Sequence, residues 1–202
     1  MNELQETLNI LLHYDNIISG RTNFCKRNID FNISDFIQNK LSKIENYNPN
    51  IYIKNDPILA KISRECADLK ITLHSYLCLN IIDIFSFNDE YNKYFVENRF
   101  NDENIKLRIR NVKTKNKNIR KKLDWKKLER FRNQILAHNL RDNENRLSVK
   151  VLKEITQFLS NLKSGIEFSE VILEMFDNIK FEFEKEITES QYALIDVIKK
   201  LN

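Results

Sequence analysis

Arg132 and His138, with five residues between them, are the pair in this chain whose types and spacing best suit chemistry. Histidine titrates near neutral pH, so its imidazole serves as a proton acceptor or donor. Arginine keeps a permanent charge in a planar fork that matches phosphate oxygens. RNA cleavage by internal transesterification asks for little more. A base removes the ribose 2′-hydroxyl proton, and a cation stabilises the charged pentavalent phosphorane. That route calls for no metal and no cofactor, and none is expected. The other two histidines have no comparable setting: His13 and His74 fall within an amphipathic and a buried helical stretch, where a structural role suits them better.

The element that must hold this pair is Leu128-Glu-Arg-Phe-Arg-Asn-Gln-Ile-Leu-Ala-His-Asn139. Wound as a helix, it puts Leu128, Phe131 and Ile135 on one apolar face. Arg132 and His138 then lie about 120° apart at the two margins of that stripe, and about 9 Å apart along the axis. Arginine's length does not fully close such a gap, so a second copy of the helix across a two-fold seam could supply the missing partner.

The approach to this helix is strongly basic. Residues 106–132 hold thirteen Lys or Arg against two acidic residues, a net charge of +11, whereas the whole chain carries +4 and the remainder −7. Such a concentration attracts polyanions, and each phosphate it neutralises releases counterions. Lys121, Lys122, Lys126 and Lys127 are the candidate RNA-binding residues, with Trp125 the one aromatic nearby to stack. This composition favours contacts to phosphates over the reading of bases. A solvated loop kept soluble by its charge is the other reading of the same segment.

The Arg132-Asn133-(x4)-His138 motif resembles the signature of the HEPN superfamily, in which four to six residues separate an Arg and a His and a polar residue supports them. Ala137 directly before His138 also suits its variants. Several bacterial abortive-infection and toxin–antitoxin proteins of this type are similar. The resemblance implies an α-helical bundle, a homodimer with a composite active site, and RNA cleavage that leaves a cyclic phosphate. Arg132 and His138 would be its catalytic residues and Asn133 the supporting polar one. It also implies a role in phage defence or growth arrest, with a cognate antitoxin or another defence-system protein as partner. Some members have lost catalysis, so a non-catalytic helical module that binds RNA, nucleotide or protein is the alternative. A third possibility is a helical protein in which Arg132 and His138 only satisfy each other or the bundle.

The rest of the chain supplies the scaffold. Two Gly and two Pro in 202 residues leave too few turn formers for an all-β protein, and 42% hydrophobic against 31% charged residues indicates a folded chain. One all-α domain over 1–202 is expected, a bundle of about five to seven helices with 106–130 as its basic segment. Leu4, Leu8, Leu11, Asp15 and Ile18 mark a first helix that Gly20 would stop. Ser34 would cap a second, bearing Ile37, Leu41 and Ile44 and ending before Pro49. Asp56-Pro57 starts a third, nearly apolar all round beyond Ile71, and Asn88-Asp89 restarts the chain into a short helix with Tyr91, Tyr94 and Phe95.

In Ile105-Lys-Leu107-Arg-Ile109-Arg the alternation is strand-like; a short strand, an extended arm and a frayed helix all fit. Leu152, Ile155, Leu159, Leu162 and Ile166 form one late stripe. Phe168, Ile172, Met175, Ile179 and Phe183 form another, which Tyr192 to Leu201 extends or follows. The odd, scattered Cys25, Cys66 and Cys78 read as reduced, partly buried thiols of a cytoplasmic protein. The acidic, amphipathic N-terminal stretch reads as neither signal nor transit peptide, and Ile71 to Phe87 is too short and too interrupted to span a membrane.

Overall fold

Apolar residues at helical spacing dictate the architecture. The computed structural model describes residues 2–28, 33–43, 57–137 and 162–201, and the regular elements among them are all helical. In chain order they are α1 (Glu3–Asn28), α2 (Ile33–Leu41), α3 (Pro57–Tyr94), α4 (Glu103–Arg120), α5 (Trp125–Ala137), α6 (Leu162–Glu182) and α7 (Glu184–Leu201), with a 3₁₀ turn at Glu97–Arg99. The fold is the all-α bundle that composition and periodicity imply.

α1 buries the expected Leu4, Leu8, Leu11, Asp15 and Ile18, then continues the stripe with Thr22 and Cys25. Gly20 therefore does not stop the helix. It is exposed in mid-helix, with nothing outside the helix within 4 Å of where a Cβ would stand. Burial of the stripe against α3 and α6 outweighs the roughly 1 kcal/mol that an interior glycine costs.

α2 starts at Ile33, which puts Ser34 inside the helix rather than ahead of it, with Asp35 in the first turn where a negative charge is favoured. It ends at Leu41; Ile44 and Pro49 lie outside the described residues.

Pro57 opens α3, as expected for a residue with a preset φ, and Asp56 lies outside the described residues. The helix then runs 38 residues to Tyr94, so Asn88-Asp89 restarts nothing. The buried stripe Leu73, Leu77, Asn80, Ile81, Ile84, Phe87 and Tyr91 crosses that point without a change of phase. Leu79 is exposed, so α3 is not buried all round.

The strand-like stretch at Ile105 to Arg110 is helix. Asp102 caps α4, its carboxylate accepting the N–H groups of Asn104 and Ile105 at 2.8 and 3.2 Å. Ile109, Val112, Asn116 and Ile119 then turn one face inward, and Leu107, which creates the alternation, stands 50% exposed off that face. Arg108 grips α7 through Glu186, its Nη2 donating to Oε2 at 3.0 Å. Leu162 and Ile166 share α6 with Phe168 to Ile179, so the two late stripes meet in one helix; Leu152, Ile155 and Leu159 lie outside the described residues.

α1, α3, α4 and α6 enclose the main core. Phe87 and Phe176 meet at 4.3 Å between ring centroids, and Phe95 sits edge-on to Phe183 at 5.8 Å. A smaller cluster gathers Cys25, Leu73, Leu77 and Ile166. Gly165 lets α6 come close to α3 there, since a Cβ would meet the Leu77 methyls at 3.2 Å. Two buried carboxamides fasten the helices. Asn80 donates to the hydroxyls of Thr22 and Ser169 at 3.1 Å each, and Asn116 donates to Tyr91 Oη and the Met175 carbonyl at 3.3 Å each. The cysteines are free thiols, and burial pushes Cys25 up to about 11. Among the described residues no helix is long and apolar enough to cross a membrane.

Candidate functional site

The basic segment is not a loop: α4, a short link and α5 carry it. Leu123 in the link and Leu128 in α5 are buried, which ties both helices to the core. Asp124 accepts the Lys127 N–H at 3.0 Å, capping the start of the motif helix. Trp125 directly follows. Its indole N–H donates to the Arg120 carbonyl at 3.1 Å, and its ring meets Phe85 of α3 edge-on at 5.9 Å. These contacts set the rotation of α5, so Arg132 comes to lie two turns further along, above α3.

Arg132 rests on Phe85, with its guanidinium carbon 4.3 Å from the ring centroid. Its Nε and Nη2 both donate to Asn133 Oδ1, at 3.3 and 3.2 Å, and Glu129 stands 3.9 Å away. The side chain is 29% exposed. One face of the fork is therefore desolvated on an aromatic ring, while part of its rim stays open to solvent. A neutral carboxamide orients the charge, and the exposed Glu129 carboxylate at 3.9 Å offsets it only in part. This is an arrangement suited to meeting phosphate oxygens.

The structure thus brings Arg132 and Asn133 together. His138 lies outside the described residues, as do Asn139 and the side chains of Phe131, Ile135 and Ala137, so the apolar face of α5 is described only at Leu128. His13 is exposed on α1, its ring 5.8 Å from that of Tyr14. His74 lies on α3 with its side chain outside the described residues. Phe85 is the contributor that the motif could not reveal, because it lies on another helix.

The four lysines differ in their surroundings. Lys122 is bound to Glu174, Nζ to Oε2 at 2.7 Å, and Lys127 lies 5.6 Å from the Phe168 ring. Lys121 and Lys126 are exposed, with no ion pair among the described residues. Elsewhere in the segment Lys106 pairs with Glu103 at 2.7 Å and Arg110 with Glu97 at 2.6 Å. The Arg110 guanidinium holds the Glu97 carboxyl below its usual range. Trp125, expected as a stacking surface for bases, is half-buried and carries the Arg120 guanidinium 5.4 Å from its ring. Among the described residues no group of three or more His, Cys, Asp or Glu side chains gathers into a metal-ligand cluster. No protein-family model, no curated protein and no solved structure matches this chain.

Proposed function

We propose that this chain is a metal-independent endoribonuclease of the HEPN type, acting at a composite site built from the motif helices of two copies. The observation that carries the reading is the setting of Arg132: stacked on Phe85, oriented by Asn133 and still open on one side. In the reaction His138 takes the ribose 2′-hydroxyl proton. The 2′-oxygen attacks phosphorus, and Arg132 stabilises the charge of the phosphorane. The bond to the 5′-oxygen then breaks, and that oxygen takes a proton from the imidazolium of the second copy. The products are a 2′,3′-cyclic phosphate and a 5′-hydroxyl end. The resemblance supports a cytoplasmic setting in phage defence or toxin–antitoxin growth arrest, with RNA as substrate and a cognate antitoxin or defence protein as partner.

Incubation of the purified protein with total RNA in EDTA tests this directly. The parent should fragment the RNA and leave cyclic phosphate ends, while Arg132→Ala and His138→Ala should leave it intact. A folded parent that binds RNA without cutting it would contradict catalysis and favour the non-catalytic module.

A further inference from the structure

Lys113, Lys117 and Arg120 recur on α4 at steps of four and three, so they share one face. With Tyr91 and Asn92 of α3 they line a cleft of about 340 Å³. That volume lies at the small end of ligand pockets. None of the three cations has an ion pair among the described residues, in contrast to Lys106, Arg108, Arg110 and Lys122 of the same segment. Arg120 is instead held by neutral oxygens, donating to Asn88 Oδ1 at 2.6 Å and Asn92 Oδ1 at 3.2 Å. The Lys113 ammonium stands 5.8 Å from the Tyr91 ring. The carboxylate nearest in effect, Glu97, is already bonded to Arg110. Burial pushes the Lys113 ammonium below its usual range; the Glu97 charge opposes that shift and Arg120 adds to it.

The cleft is also joined to the motif helix. Arg120 stacks on Trp125, Trp125 meets Phe85, and Phe85 carries Arg132, each step a ring contact of 5.4, 5.9 and 4.3 Å in turn. We infer that the Lys113–Lys117–Arg120 cleft binds a backbone phosphate of the RNA substrate, and that the Arg120–Trp125–Phe85–Arg132 chain leads the strand from it to the motif helix. The choice of RNA as the source of that phosphate rests on the proposed function; the phosphate-binding chemistry of the cleft does not.

The test is binding of a short, uncleavable 2′-O-methyl RNA to the full-length protein across a salt series. Lys113→Gln with Lys117→Gln should weaken binding roughly tenfold and flatten the salt slope by about 0.7, the amount that one neutralised phosphate contributes in a single strand. Lys117→Glu, at an exposed position where folding is not at stake, should weaken it in the same direction. Unchanged affinity and slope in both variants would overturn the inference. So would adenosine monophosphate or inorganic phosphate binding that both variants abolish while RNA binding survives, because the cleft would then serve a small phosphate ligand. Cleavage of total RNA, followed alongside, separates the two proposals. Variants that bind and cut like the parent sink the cleft alone. Cleft-dependent binding by a parent that never cuts keeps the cleft and sinks the nuclease.

Discussion

Arg132 is positioned by two neighbours of different kinds. Asn133 is adjacent in sequence, so that part of the site could be read directly from the motif. Phe85 belongs to α3, and a cation resting on a ring from another helix leaves no local trace in sequence. The value of that ring can be measured. A cation–π contact contributes about 0.5–2 kcal/mol, so Phe85→Leu should slow RNA cleavage by roughly twofold to thirtyfold while the protein stays folded. Arg132→Lys should not substitute for the parent, because a point charge lacks the fork that matches two phosphate oxygens. A Phe85→Leu variant with the parent rate constant would show that the ring only packs. Lys113 and Lys117 were visible as charges but not as a site. Only the fold shows that they face Tyr91 and Asn92, while neighbours such as Arg110 are held by acids.

Among the elements, periodicity was legible wherever a buried stripe was long. It misled wherever a local signal competed with tertiary burial. Gly20 and Asn88-Asp89 both look like punctuation, yet Thr22 and Cys25 in α1, and Tyr91 in α3, extend their stripes past it. At Ile105 to Arg110 the exposed Leu107 created a false period of two, and the correct phase appears only when Val112, Asn116 and Ile119 are counted. At a mid-helix, exposed position with open space for a Cβ, Gly20→Ala should stabilise the protein by about 0.5–1 kcal/mol. Urea denaturation would read this as a higher midpoint at unchanged slope. A left-handed stop at Gly20 would give the opposite sign, because alanine is strained there.

At the scale of the whole molecule, the contrast between a +11 segment and a −7 remainder was plain from composition, but its meaning was not. Part of that charge is internal mortar: Arg108 fastens α4 to α7 through Glu186, and Lys122 bonds Glu174 of α6. Other cations of the segment, among them Lys113, Lys117, Arg120, Lys121 and Lys126, leave a field for a polyanion on α4, the link and α5. If two copies meet through the motif helices, light scattering should give a dimer mass at micromolar concentration, and a monomer at that concentration would count against a composite site. If Arg132 and His138 act in one chemical step, as proposed, the rate of RNA cleavage in EDTA by the two single variants and the double variant will show it. Arg132→Ala and His138→Ala should each cost on the order of 10²–10⁴-fold, with the double variant little worse than either. Each variant should keep its helical circular dichroism and a cooperative melt. A His138→Ala protein that stays folded and cuts RNA at the parent rate would mean that His138 takes no part in the chemistry.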